Sequence, residues 1–430
     1  MTGNLSSLLW ARPVKRFTAT LAALLFVPAS PVFSEASDYE VDGLLLPQNA
    51  RPAVDDISPF AGTWIGRWDG VLKTILIVES VAENGEAKVI YSIADNPSAG
   101  FERAWFRLDA MVNGSDMVIS GSGFSLGVKA SPTGRLRAVF GDGISFAILS
   151  RRELASLIQP GAQIEWELGT SEMVRTELFE DGKPIDLEIV MIRPEGDGPF
   201  PLAVVNHGST GTGTNTQAFL DTWTNEWFAD VLNQFGWIVA FPQRRGRGKS
   251  HGLYDEGFGT NRSLGYTCDT EPSLGGADRA LEDLHAAILS LRQRPDVGDE
   301  PVLVAGQSRG GILSVAYAGF HPEMTGGVIN FAGGWMGEFC KTAGTINQTL
   351  ARKGAGFKRP MLWIYGHDDV YYSIAHSRKT FEAFIQAGGS GRFEEVTVRG
   401  ENNGHWAMAI PPLWSTHVER YLADMAEAAN

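Results

Sequence analysis

Two patterns of apolar and polar positions divide the chain. From about Phe60 to Leu149 apolar residues recur at every second position in short runs, as at Val89, Tyr91 and Ile93 and again at Ile144, Phe146 and Ile148. Period two is what a strand with one face in a core requires. Gly141-Asp142-Gly143 suits a hairpin turn between two such strands. No helical period appears in this stretch, so the pattern predicts a small antiparallel barrel or sandwich. A polar joint from Arg151 to Glu167, containing Pro160-Gly161, ends it. Beyond the joint, continuous apolar runs at 202–206, 237–241, 302–305, 328–331 and 361–365 read as strands buried on both faces. Helical periodicity at 220–235, 277–291, 312–320 and 373–387 separates most of them. The chain is therefore expected to be a small all-β, barrel-like domain over 37–160, followed over 161–430 by an α/β domain whose mostly parallel sheet is flanked by helices.

The first residues read differently. Arg12, Lys15 and Arg16 precede an apolar run, 17–33, that Pro28 and Pro31 interrupt and that leads to the small residues Ser34 and Ala36. A spanning helix needs about 20 apolar residues, and this run falls short. Residues 1–36 are expected to be a cleaved signal peptide, giving a secreted or periplasmic protein with no stable membrane insertion. Composition adds exclusions. With 43% hydrophobic and 20% charged residues, the 430-residue chain can bury ordinary cores and is not a disordered one. A formal net charge of -14 repels polyanions, so no nucleic-acid partner is expected. Cys268 and Cys340 are the two cysteines, and export to an oxidising compartment makes a disulfide between them the expectation. No H-E-x-x-H pattern occurs, and the sequence implies neither metal nor cofactor.

The chemistry concentrates at strand ends. The strand at 302–305 runs into Gly306-Gln307-Ser308-Arg309-Gly310-Gly311 and then an apolar helix, the strand-turn-helix context in which a G-x-S-x-G elbow presents a nucleophilic serine. Gly123-Phe124-Ser125-Leu126-Gly127 matches the same pattern among β hairpins with no helix after it, and is read as turn chemistry. A serine hydroxyl needs a base. Of the downstream histidines, His321, His376 and His417 fall in or beside helical patterns and His367 lies at a strand end; His405 sits in the polar loop 401–405 just after a strand. His405 is the candidate base. Tyr365-Gly366-His367-Asp368-Asp369 ends another strand with two carboxylates, of which Asp369 is the candidate acid and Asp368 the alternative. Two backbone N–H groups are candidates for an oxyanion hole: that of Arg309, next to the nucleophile, and that of Ser209 in the loop Asn206-His207-Gly208-Ser209. Gly248-Lys249-Ser250 ends like a phosphate-binding loop, but Gln243 stands where that motif needs glycine and no helix follows at once. A basic, glycine-rich strand-end loop is the better reading.

Taken together, the H-G-S loop, the arginine-rich loop, the serine elbow, the G-x-D-D strand end and the G-H loop resemble the α/β-hydrolase superfamily over roughly residues 170–426. Within it the chain is similar to the dienelactone-hydrolase-like and prolyl-oligopeptidase-like branches, which include esterases and peptidases. It departs from both. True dienelactone hydrolases carry cysteine at the position of Ser308, and the segment before residue 160 is too short for a propeller. Gly62-Thr63-Trp64 resembles the opening strand of lipocalin- and avidin-like barrels, with Trp64 expected to plug the barrel core. The resemblance implies a serine hydrolase cleaving a small-molecule ester through an acyl-enzyme, or alternatively a serine peptidase or amidase. A non-catalytic binding protein on the same scaffold is the remaining alternative. No feature of the sequence assigns an oligomeric state.

Overall fold

The computed structural model describes residues 38–53, 58–97, 102–141, 143, 145–398 and 404–429. The expected signal segment, Asp142 of the expected turn, Ile144 of the alternating run, and Glu401, Asn402 and Asn403 of the histidine loop lie outside the described residues. The chain divides after Leu168 into two compact units.

In the first unit, β1 (Tyr39–Val41) and β2 (Leu44–Leu46) form a hairpin. Eight further strands follow: β3 (Gly62–Trp68), β4 (Leu72–Val81), β5 (Glu86–Ile93), β6 (Ala104–Asn113), β7 (Asp116–Gly121), β8 (Phe124–Ala130), β9 (Leu136–Phe140) and β10 (Phe146–Arg152). Each pairs antiparallel with the next, and β10 returns to β3 to close a barrel. Closure leaves no unpaired edge. Inward residues such as Trp64, Trp68, Leu76, Val89, Tyr91 and Phe140 form its packed interior. Trp64 is buried there and donates its indole N–H to the Phe60 carbonyl, while Trp68 donates to the Tyr91 hydroxyl. Strand β4 is apolar at successive positions because its outer residues Ile75 and Ile77 are covered as well, by a second cluster containing Leu44, Leu46, Leu157 and Trp166. Leu157 ends the short helix α1 (Leu154–Leu157).

The second unit holds one mixed sheet. Strands β11 (Thr170–Glu180) and β12 (Lys183–Ile192) form an antiparallel hairpin at one edge. The order then runs through β14 (Ile238–Pro242), β13 (Leu202–Asn206), β15 (Val302–Gln307), β16 (Thr325–Phe331), β17 (Met361–Gly366) and β18 (Gly391–Val396). From β14 onward all pairs are parallel. Every residue of β13, β14, β15, β16 and β17 is buried, which is why these segments read as unbroken apolar runs. Parallel neighbours bring the C-terminal ends of these strands to one edge of the sheet, where the loops that follow them gather.

The helices are α2 (Glu226–Gln234), α3 (Thr270–Leu291), α4 (Arg309–Phe320), α5 (Ala343–Lys353), α6 (Ile374–Gln386) and α7 (Ser415–Ala429). Two differ from the sequence expectation. The segment expected from 220 becomes α-helical only after Asn225, whose side chain accepts the Phe228 N–H as an N-cap. In α3 the helix starts at Thr270, earlier than expected, and tolerates Pro272 in its first turn because a proline there sacrifices no intrahelical bond. Helix α4 is buried along nearly its whole length, so apolar residues surround it instead of forming a stripe.

Candidate active site

At the end of β15 the chain reverses into α4 through Ser308, whose φ of +57° and ψ of -122° lie where a residue with a side chain is strained. The surroundings hold it there. A Cβ on Gly306 would sit 2.5 Å from the Gly310 carbonyl carbon, and one on Gly310 would sit 2.1 Å from the Asn206 carbonyl oxygen. Only glycine permits that approach of strand, turn and helix. Ser308 N–H donates to the Phe331 carbonyl at 2.9 Å, tying the turn to β16.

The loop after β17 supplies the carboxylates, and they part company. Asp368 is exposed at φ +59°, whereas Asp369 is buried. Asp369 Oδ1 accepts the backbone N–H groups of Tyr371 at 2.7 Å and Tyr372 at 3.0 Å. Its Oδ2 lies 2.9 Å from His405 Nδ1. A carboxylate at Nδ1 keeps the proton on that nitrogen and leaves Nε2 as the basic atom. His405 is held on its backbone by Gln307, the residue before Ser308, whose side chain donates to the His405 carbonyl at 2.8 Å. Its ring packs against Tyr371 and Tyr372, with centroids 4.6 Å and 5.5 Å away. The other downstream histidines have different neighbours: His321 stacks on His285, His367 faces Glu395, His376 meets Asn347, and His417 faces Glu394.

Tyr372 touches all three of these residues and was not singled out by sequence. Its N–H binds Asp369, its ring flanks His405, and its hydroxyl lies beside Ser308 and donates to the Gly334 carbonyl at 2.6 Å. Burial raises its pKa, so the phenol stays protonated.

The loop after β13 brings Gly208 against the serine: a Cβ built there would lie 3.2 Å from Ser308 Cβ and 3.7 Å from its Oγ. Among the described residues, neither Gly208 nor Ser209 gives its N–H to a protein acceptor. The glycine-rich loop 243–250 lies behind this one. Its Gln243, Arg244, Arg245 and Arg247 are buried, so most of the basic charge read in the sequence is turned inward; Lys249 remains exposed. Arg245 pairs with Asp283 and Glu282. Arg244 pairs with buried Glu256 at 2.5 Å and donates its backbone N–H to His207 Nε2 at 3.2 Å. Burial first, then Arg244 and Arg247, push the His207 pKa well below the ordinary imidazole value, so this ring is neutral. Arg309 also reaches Glu256, and its guanidinium lies between the rings of Tyr266 and Trp335, at 3.7 Å and 4.6 Å. Burial alone would raise the Glu256 pKa, but Arg244 and Arg309 overcome it and hold the carboxylate ionised.

Cys268 and Cys340 are joined in a disulfide, linking the segment after Tyr266 to the one after Trp335. Among the described residues, no group of three or more His, Cys, Asp or Glu is disposed to hold a metal, and no helix is long and apolar enough to cross a membrane.

The second unit, with its antiparallel edge strand, reversed β14-β13 order and elbow at the end of β15, is an α/β-hydrolase fold. No family model and no curated protein matches the chain. Solved structures do. An esterase of Pyrococcus furiosus is 13% identical, with 60% of this chain and 90% of that one covered and a TM-score of 0.42. Est1E of Butyrivibrio proteoclasticus, solved with ferulic acid, is 15% identical over 57% of this chain and 97% of that one, with a TM-score of 0.40. A prolyl endopeptidase is 14% identical over 84% of this chain and 52% of that one, with a TM-score of 0.41. These likenesses accompany the fold assignment, which rests on the strand order itself.

Proposed function

We propose that the chain is an exported serine hydrolase that cleaves carboxylic esters of small molecules through an acyl-enzyme. Ser308 is the nucleophile. His405 Nε2 takes the Ser308 hydroxyl proton as Oγ attacks the ester carbonyl, and Asp369 stabilises the imidazolium that forms. The N–H groups of Ser209 and Arg309 hold the oxyanion of the tetrahedral intermediate. The alcohol leaves with the proton from His405; water, deprotonated by the same nitrogen, then releases the acid and restores Ser308. One observation carries this reading: a serine on a strained strand-to-helix turn shares its edge of the sheet with a buried carboxylate–imidazole pair, and Gln307, the residue before that serine, bonds the backbone of the imidazole's residue. The disulfide and the basic-then-apolar start of the sequence support export.

The test is active-site labelling. A fluorophosphonate should label the wild type at Ser308 and leave Ser308→Ala unlabelled. A panel of 4-nitrophenyl esters beside peptide anilides should show turnover of the esters first. Labelling that persists in folded Ser308→Ala removes the assignment of the nucleophile, and faster anilide turnover replaces esterase with amidase.

A further inference from the structure

Arg244 donates Nη1 to the His207 carbonyl at 3.0 Å and Nη2 to the Gly208 carbonyl at 3.4 Å. These carbonyls belong to two consecutive peptide units. The N–H at the far side of the first unit is that of Gly208, and the N–H of the second is that of Ser209. A charged donor on an amide oxygen draws electron density from the amide nitrogen, so the N–H opposite becomes a stronger donor. The guanidinium therefore lies at the far end of the planar amides whose N–H groups point away from it, in a loop whose Gly208 is packed against Ser308.

We propose that Arg244 is a positioning residue that aims and polarises the Gly208 and Ser209 N–H groups toward the oxyanion, with Glu256 as the strut that holds it. The inference rests on the serine-hydrolase reading. Glu256 is buried and takes Arg244 Nε on one carboxylate oxygen and the Tyr254 hydroxyl, at 3.0 Å, on the other. Arg309 Nη1 reaches that second oxygen at 3.3 Å and the Glu256 backbone carbonyl at 2.8 Å. The two sides of the oxyanion hole are thus joined through one carboxylate. Arg309 contributes its own backbone N–H to one side, and Arg244 backs the peptide units of the other. The Tyr266 hydroxyl, 2.7 Å from that of Tyr254, accepts the Thr210 N–H at 3.2 Å and fixes the next residue of the loop. A planar fork can serve two carbonyls and one carboxylate at once; a lysine ammonium in the same place cannot keep that geometry. The position is also suited to the task because all three members are buried, where a fixed dipole or charge acts with little screening.

The experiment uses the full-length protein and the variant Arg244→Lys, which retains the charge and loses the fork. With 4-nitrophenyl acetate, kcat should fall about 10- to 100-fold, less than the full loss of an oxyanion donor, while KM stays close to the wild-type value. Phenylboronic acid, which forms a tetrahedral adduct on a serine, should bind more weakly by the same factor as the loss in kcat/KM. The amide protons of Gly208 and Ser209 should move upfield in the NMR spectrum of the free protein. A general loss of packing would not link those three readouts. Glu256→Gln provides the second variant, keeping both arginines while weakening their tie, and should give the same pattern with a smaller loss. Wild-type kcat/KM in folded Arg244→Lys would overturn the proposal, as would a fall in kcat with unchanged boronate affinity and unchanged amide shifts. If Arg244→Lys does not fold, Glu256→Gln decides by the same criteria. Failure of the underlying reading looks different: the wild type itself would resist fluorophosphonate and turn over no ester, and the two amide shifts would still report whether Arg244 polarises these peptides.

Discussion

The molecule contains the same five-residue pattern twice, and the two copies have almost nothing else in common. Ser125, within Gly123–Gly127, lies exposed on β8 and pairs across the ladder with Ser120 in ordinary extended geometry. Ser308, within Gly306–Gly310, sits at φ +57° between a buried strand and a buried helix. In the first copy Gly123 lies in a hairpin turn and Gly127 inside β8; in the second the two glycines let three pieces of backbone approach within distances that forbid any Cβ. A short motif is thus a statement about backbone, and its chemistry is decided by the element it leads into and the side chains that face it.

The sharpest way to break this comparison is to delete both hydroxyls. Ser308→Ala should lower turnover by several orders of magnitude, up to about a millionfold, while Ser125→Ala leaves turnover unchanged; steady-state kinetics on both variants decides it. The two aspartates offer a second contrast of the same kind. Asp369→Asn should cost about 10⁴-fold in kcat, because it removes the acceptor that fixes the His405 tautomer, whereas exposed Asp368→Asn should cost little. Equal losses would mean that the acid has been assigned to the wrong member of the pair.

The third contrast is between the two units. The disulfide closes a separation of 72 residues in the second unit, for which the chain-entropy relation gives about 4 kcal/mol. Replacing both cysteines by serine should lower the unfolding midpoint of the second unit and leave that of the barrel where it was, as followed by calorimetry. A shift of the barrel transition instead would show that the units do not unfold independently. The smallest effect concerns His207. Its folded pKa lies below the ordinary value, so below pH 6.5 the unfolded chain binds a proton that the native chain does not. Stability should therefore fall as pH drops from about 6.5, by on the order of 1 kcal/mol per pH unit until the folded ring itself protonates. His285, His321 and His376 are shifted in the same direction and add to the wild-type slope. Urea midpoints between pH 7 and 5 should show a shallower slope for His207→Asn than for the wild type; equal slopes would remove His207 as a contributor.

Much of this was legible in the sequence because it depends on local pattern. The buried parallel strands stand out as apolar runs, and the barrel strands as alternation. Ser308, Asp369 and His405 stand out because turn residues surround them at strand ends. Arg244, Glu256, Tyr266 and Tyr372 did not stand out. Each lies in a stretch that reads locally as a polar or mixed loop, and only the fold brings Arg244 to Glu256 and Tyr372 to Ser308. The start of α3 was hidden for a related reason: Gly276 lowers the helical signal, yet a Cβ there would lie 2.2 Å from the Gly257 backbone nitrogen, so the glycine serves the loop that carries Glu256. Long-range partners of buried charges leave no periodicity to read.

The aromatic sandwich around Arg309 bears on how this lineage can change. Its guanidinium contacts Tyr266, Trp335 and Glu256 at once, and Glu256 in turn holds Arg244. A mutation to a smaller or neutral residue at 309 removes one of the two guanidiniums paired with a buried carboxylate and leaves two ring faces without their cation, so single steps away from arginine are penalised on several contacts together. Divergence at this position is expected to proceed as linked exchanges at 244, 256, 266 and 335, and a collection of related chains should show those columns varying as a block.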